Sequence, residues 1–214
     1  MKTIKIFTIH LLLSIFTSAY AGSYALDKFY EKTHTFSATF EQKVKTLDDK
    51  SIQTSKGHIL ISRPNKFVMV YSEPDQQQYV SNGKVLWIYD KDLEQVTIKK
   101  FDKEMRSSPV LVLSGKNELR ELYNIEESSD YGKPEQDIFV LKPKIVSGEE
   151  ATTQFSRVEL VFVFEKLQEL RMWDHFNHIT ILSLNDQKLN EAVPDSTFNF
   201  IIPDNIDVLD NTIQ

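Results

Sequence analysis

Apolar residues recur at two spacings along this chain. Leu26, Phe29 and Tyr30 fall at i, i+3 and i+4, so the spacing predicts a short amphipathic helix over 23–32. A helix of that length needs a surface to lie on. Most of the chain beyond this helix alternates with period two. Phe36, Ala38 and Phe40 interleave with polar neighbours and read as a first strand. Gly57 to Tyr71 reads as two strands around a tight turn at Arg63-Pro64-Asn65, because Pro64 cannot donate to a ladder and Asn65 tolerates turn geometry. Ile59, Ile61 and Arg63 then share one face of the first strand, and Phe67, Met69 and Tyr71 one face of the second. A slip of one residue would exchange the faces, so the register is fixed.

The remaining pattern extends the same theme. Gln77 to Ser81 and Lys84 to Tyr89 flank Asn82-Gly83, a pair suited to a type I′ turn. Val85, Trp87 and Tyr89 share one face of the return strand and Leu86 and Ile88 the other. Further strands are predicted at 94–100, 124–127, 137–143, 155–164, 167–173, 179–184 and 197–201. Ser107 to Gly115 has serine caps, a proline in its first turn and a closing glycine, which favours helix, although its valines leave a strand open. Leu119 to Tyr123 adds another helical turn. The expectation is about ten or eleven strands with two or three short helices. This predicts a mainly β (α+β) fold, one strongly curved antiparallel sheet with the helices as its cover.

Composition adds the compartment. Met1 to Ala21 carries Lys2 and Lys5, an apolar run and Ala19-Tyr20-Ala21, the pattern of a secretory signal peptide cut after Ala21. Residues 22–214 would then form one domain. There are no cysteines, which removes disulfides, thiol catalysis and acylation at an N-terminal cysteine. The formal net charge of −6 becomes −8 once Lys2 and Lys5 are lost, so nucleic acid and anionic lipid surfaces are poor partners.

Candidate chemistry is sparse. The chain has no Gly-x-Ser-x-Gly, no phosphate-binding glycine loop and no His-Glu-x-x-His, so neither an enzyme nor a bound cofactor is indicated. His175 and His178 have ligand-like spacing but read as loop histidines. Glu149-Glu150 and Asp48-Asp49 read as solvating charges. Arg63 has two readings: a strand-end arginine paired with a surface carboxylate, or a polar latch bonding the carbonyls of whatever covers an apolar cavity. The aromatics on predicted strands, among them Phe36, Phe40, Phe67, Trp87 and Tyr89, suit an ordinary core or the lining of such a cavity. A periplasmic hydrolase would need a convergent nucleophile and base that the sequence does not display.

Several blocks together resemble the LolA family of periplasmic outer-membrane lipoprotein carriers. They are Phe36-Ser37-Ala38-Thr39-Phe40-Glu41-Gln42, Arg63-Pro64-Asn65-Lys66-Phe67, Asn82-Gly83-Lys84-Val85-Leu86-Trp87-Ile88-Tyr89 and the closing Phe198-Asn199-Phe200-Ile201-Ile202-Pro203. The resemblance implies an unclosed, strongly curved β-barrel with an α-helical lid over a hydrophobic cavity. It implies a monomeric periplasmic chaperone that takes triacylated lipoproteins from an inner-membrane ABC transporter (LolCDE-type) to an outer-membrane receptor (LolB-type). Arg63 would latch the lid, and Phe67 would stand at the rim that meets partners. Ile59, Ile61, Phe67, Met69, Tyr71, Val85, Trp87 and Tyr89 are assigned to the acyl-chain cavity. Many members carry an aromatic where this chain has Met69, and the stretch 127–134 is longer and more polar than the pattern suggests. The alternative within this architecture is a lipoprotein-sensing regulator that binds an anti-sigma factor.

Overall fold

The computed structural model describes residues 24–101, 109–115, 118–128, 135–146, 149–150 and 154–212. The predicted leader, Ser107 and Ser108, and most of the 127–134 stretch lie outside them. The first helix, α1 (Tyr24–Lys32), follows the i, i+3, i+4 pattern, and Leu26, Phe29 and Tyr30 are all buried. Strands β1 (Thr35–Lys45), β2 (Ser51–Ser62), β3 (Lys66–Glu73), β4 (Gln77–Asn82), β5 (Val85–Asp90) and β6 (Gln95–Lys100) form an antiparallel meander. The helices α2 (Pro109–Ser114) and α3 (Glu118–Leu122) interrupt it, so the valines of 109–114 are helical. β7 (Tyr123–Ser128), β8 (Gln136–Pro143), β11 (Phe155–Val163), β12 (Lys166–Asp174) and β13 (Ile179–Leu189) make the second arm, with a small hairpin of β9 (Ile145–Val146) and β10 (Glu149–Glu150) inserted. β14 (Asp207–Asp210) ends the chain of elements.

The large sheet has twelve strands in the order β14-β6-β5-β4-β3-β2-β1-β13-β12-β11-β8-β7. Its two ends do not pair, so the barrel is unclosed. The strands exceed the ten or eleven predicted, because β14 and the β9–β10 hairpin do not show as alternating runs. β14 is also the exception in direction, lying parallel to β6 with Val208 opposite Val96. Register shifts at Ser37/Thr39, Val44/Lys45, Lys56/Gly57, Phe155/Arg157 and Val161/Phe162 break the ladders locally. Such bulges bend strands and raise their twist, which suits a sheet that must curl around helices.

The main core fills the concave side. Phe29 of α1 meets Phe36 of β1 at 5.6 Å and Phe162 of β11 at 5.8 Å, and Phe139 of β8 meets Phe162 at 5.6 Å, all edge to face. One helical side chain therefore touches both arms of the sheet and helps to hold the curl. A second, smaller core lies on the convex side, where Phe198 packs with Val68 and Val80.

Two sequence expectations change here. Residues 197–201 do not form a strand: Asp195–Phe198 is a 3-10 helix, and the chain beyond it crosses the convex face as a strap. Phe198 and Phe200 alternate because both reach the sheet beneath them, not because they belong to it. The Asn82-Gly83 reversal is also not type I′, since of the two only Gly83 has positive φ, 85°. The Asn82 Oδ1 instead accepts from the backbone N–H groups of Lys84 and Val85 at 2.9 and 3.0 Å.

Candidate functional site

The concave face is built by alternation. Ile59 and Ile61 of β2 stand opposite Met69 and Phe67 of β3, and all four are 4% exposed or less. α1 and α2 lie over this floor and contribute Leu26, Phe29, Tyr30, Val110, Val112 and Leu113 to the same core. Tyr71 is partly buried and packs at its edge, with its ring 5.2 Å from that of Phe40. The two rings meet beside Gly57, where a Cβ would fall 1.9 Å from the Val70 carbonyl oxygen and 2.7 Å from the Phe40 ring. Only a glycine lets the strands and the ring come this close.

Arg63 sits at the end of that floor and faces the cover. Its Nη2 donates to the Leu113 carbonyl at 2.8 Å, and its Nη1 donates to the carbonyls of Thr33 and Phe29, the latter at 3.5 Å. These acceptors lie at the C-terminal ends of α2 and α1, where carbonyls lack helical partners and the helix dipole is negative. The guanidinium also lies 4.6 Å from the Phe29 ring centre and 5.0 Å from that of Tyr30, within cation–π reach. Among the described residues no carboxylate pairs with Arg63, and its buried Nε has no partner. Burial pulls the Arg63 pKa below its ordinary value, and the neighbouring Tyr30 opposes this. An arginine remains charged regardless. Tyr30 Oη donates to the Val112 carbonyl, tying α1 directly to α2. Burial pushes its phenol well above the usual tyrosine range, against the pull of Arg63, so it stays a donor.

Val85, Trp87 and Tyr89 are elsewhere. Trp87 packs with the convex cluster under Phe198, and the Tyr89 ring lies 5.6 Å from Phe200. The neighbours that enter the concave core are Leu86 and Ile88. Both faces of β5 are apolar because both are covered, one by the helices and one by the strap, so alternation alone could not assign the inner face. Phe67, expected at an exposed rim, is only 3% exposed and lies against Phe101 at 6.4 Å. Sequence reasoning also passed over Phe29, Tyr30 and Leu113 as partners of Arg63. Their helical spacing marked them as apolar, but nothing in it marked which carbonyls would face a guanidinium.

His178 Nδ1 lies 2.9 Å from Asp174 Oδ2, whose other oxygen accepts from the Phe176 and His178 N–H groups at 2.8 Å each. Burial raises the Asp174 pKa, but these bonds to His178 and Phe176 outweigh it and hold the carboxyl below its ordinary value. The pair shapes a hairpin tip. Among the described residues no three His, Cys, Asp or Glu side chains converge as a metal site.

The chain has relatives among known proteins. The family model described as "Outer membrane lipoprotein carrier protein LolA" matches residues 31–201. The chain belongs to the LolA family. An outer-membrane lipoprotein carrier protein of Hahella chejuensis is 31% identical over 212 residues, covering 98% of each chain. One from Pseudomonas putida is 33% identical over 215 residues, covering 98% of this chain and 99% of the relative. Among solved structures, an uncharacterized conserved protein of Thermus thermophilus aligns with a TM-score of 0.56 over 87% of this chain and 97% of its own, at 12% identity. A LolA superfamily protein of Nitrosomonas europaea aligns with a TM-score of 0.50 over 82% of this chain and 94% of its own, also at 12% identity. At such identity these two speak for the fold alone: the LolA-type open barrel is kept while most side chains change.

Proposed function

We propose that this LolA-family chain is a periplasmic carrier that shields the acyl chains of outer-membrane lipoproteins during transfer between membranes. The observation that carries this reading is the apolar floor of Ile59, Ile61, Phe67 and Met69 beneath two short helices fastened by Arg63. Acyl chains would replace the helical side chains on that floor. Tyr71 would border them, and Val85, Trp87 and Tyr89 would not take part.

The physical problem is release rather than grip. Burying a methylene is worth about 0.8 kcal/mol, so a chain of roughly fifteen gains on the order of 10 kcal/mol at most. Closing the cover over an empty floor competes with cargo and reduces that affinity by the free energy of opening. An inner-membrane ABC transporter would supply the cargo, and an outer-membrane receptor would accept it. Phe67 would reach such partners only once the cover has moved.

The test incubates the purified mature protein with spheroplasts of its host under conditions that keep the transporter active. Energy-dependent appearance of triacylated lipoproteins in a one-to-one soluble complex is expected. No release, together with no binding of an added triacylated lipopeptide, would overturn the carrier reading.

A further inference from the structure

The concave face changes character along its length. At the Arg63 end, β1, β2 and β3 present Phe36, Phe40, Ile59, Ile61 and Phe67 inward, all buried. Continuing with the same period-two parity, β1 next presents Gln42, β2 presents Ser55 and Gln53, and β4 presents Tyr79 and Gln77. The ladders set these side by side, with Gln42 opposite Ser55 and Tyr71 opposite Gln77. A cavity of about 190 Å³ opens among Gln42, Gln53, Ser55, Tyr71, Gln77 and Tyr79. It borders the apolar floor, because Tyr71 and Tyr79, whose rings lie 5.9 Å apart, line it and also pack against the main core.

The hydrogen bonds inside this chamber leave donors over. Tyr71 Oη donates to Gln42 Oε1 at 3.0 Å, and Tyr79 Oη donates to Gln77 Oε1 at 3.0 Å. Gln77 Nε2 donates in turn to Asp90 Oδ2 at 2.9 Å. Among the described residues Gln42 Nε2 has no acceptor, and Gln53 Nε2 has only a long bond of 3.4 Å to Ser55 Oγ. Among the described residues the wall includes Asp75 and neither lysine nor arginine. Amide N–H groups beside a carboxylate suit a neutral, acceptor-rich ligand and repel an anionic one.

We propose that this chamber is the head subsite of the carrier, where the ester carbonyls joining acyl chains to the cargo accept hydrogen bonds from the Gln42 and Gln53 amides. This rests on the carrier function proposed for the chain and adds a selectivity to it. An acylated glyceryl group carries hydrocarbon on one side and carbonyl acceptors on the other, which matches a floor that turns from apolar to donor-rich. A phospholipid offers the same esters but adds a phosphate that would meet Asp75. The face is also long enough: Ser55 to Arg63 covers eight residues of strand, about 26 Å, more than the roughly 15 Å of hydrocarbon in a bilayer leaflet.

The test measures binding of a triacylated lipopeptide and of its ether-linked analogue, which lacks the glyceryl ester carbonyls, to the mature protein and to a Gln42→Leu, Gln53→Leu variant. The protein should prefer the ester form by roughly tenfold, the worth of about two neutral hydrogen bonds. The variant should bind both forms alike. Equal binding of the two forms by the unaltered protein, or a preference that survives in the variant, would overturn the head subsite while leaving the carrier standing. Failure to bind either form would overturn the carrier reading and the subsite with it. Asp75→Lys supplies an independent arm: it should raise binding of phosphatidylglycerol, presented in detergent, by at least several fold, and no gain would count against the charge selectivity.

Discussion

Arg63 Nη2 lies 2.8 Å from the Leu113 carbonyl oxygen, fifty residues further along the chain, and so ties the end of α2 to the end of the central hairpin. The same guanidinium holds the end of α1 through Thr33 and Phe29. Replacing it with leucine removes charged donors worth about 1.5–3 kcal/mol each, less the cost of having buried the charge. In Arg63→Leu, amide exchange over 24–33 and 109–115 should quicken by roughly tenfold or more, while β1 to β3 keep their protection. Unchanged exchange in both helices would show that the cover is held by packing alone. Lipopeptide affinity should rise as the helices loosen, and onward delivery to a receptor should slow.

Gly57 makes a second, purely steric prediction. The atom its Cβ would strike at 1.9 Å is the backbone oxygen of Val70, which cannot rotate away as a side chain can. Gly57→Ala must move β2 away from β3 and displace the Phe40 ring, and overpacking of this kind typically costs about 1–3 kcal/mol. Because backbone is involved, the loss should lie at or above the top of that range. Urea denaturation measures it, and a midpoint matching the parent protein would contradict the close approach.

How far the sequence foretold this depends on what covers each face. β1 was legible because Phe36, Ala38 and Phe40 are buried while the residues between them are polar. β2 and β3 carry apolar residues on both faces, with Leu60, Val68 and Val70 under the strap, so there it was Arg63 that singled out one face. β5 was not legible, because Leu86 enters the concave core while Trp87 is covered by the C-terminal strap. The strap carries two phenylalanines at strand spacing, and nothing local distinguishes a chain lying across a sheet from a chain within one. β14 has every residue exposed, so burial left no pattern there to read. Arg63 was legible as a polar group at the end of an apolar face. Its acceptors were not, since they are backbone carbonyls brought together only by the packing of two distant helices.

Alkaline titration tests the interior. Burial raises the pKa of Tyr30, Tyr71, Tyr79 and Tyr123, and pushes Tyr123 up to about 12. A tyrosine whose folded pKa exceeds its unfolded value contributes stability below about pH 10, and that contribution is lost as pH rises toward the folded value. Stability should therefore fall between about pH 10 and 12, with a delayed rise in phenolate absorbance compared with the unfolded chain. Tyr123 Oη is buried with no partner among the described residues, so Tyr123→Phe should cost little at pH 7 and should soften the alkaline loss. Phenolate absorbance that rises at the same pH in folded and unfolded protein would rule this out.

Phe198 offers the last prediction, because it separates the two faces of the sheet by experiment. Its side chain is 1% exposed and packs with Val68 and Val80, with Trp87 alongside, on the side away from α1 and α2. Phe198→Ala should cost about 3–5 kcal/mol, or less if the strap settles into the gap. Of the two tryptophans in the chain, Trp87 lies beneath the strap, and Trp173 is stacked by Arg157 at 5.0 Å. Loosening the strap should therefore shift Trp87 emission to the red in a Trp173→Phe background. Substituting the 87%-exposed Ile201 with serine should leave that emission where it was. Lipopeptide binding by the still-folded Phe198→Ala protein should match the parent, because the concave floor is untouched. A folded Phe198→Ala protein that no longer binds lipopeptide would instead place Trp87 and its neighbours within the cargo site, and would show that the strap takes part in carrying.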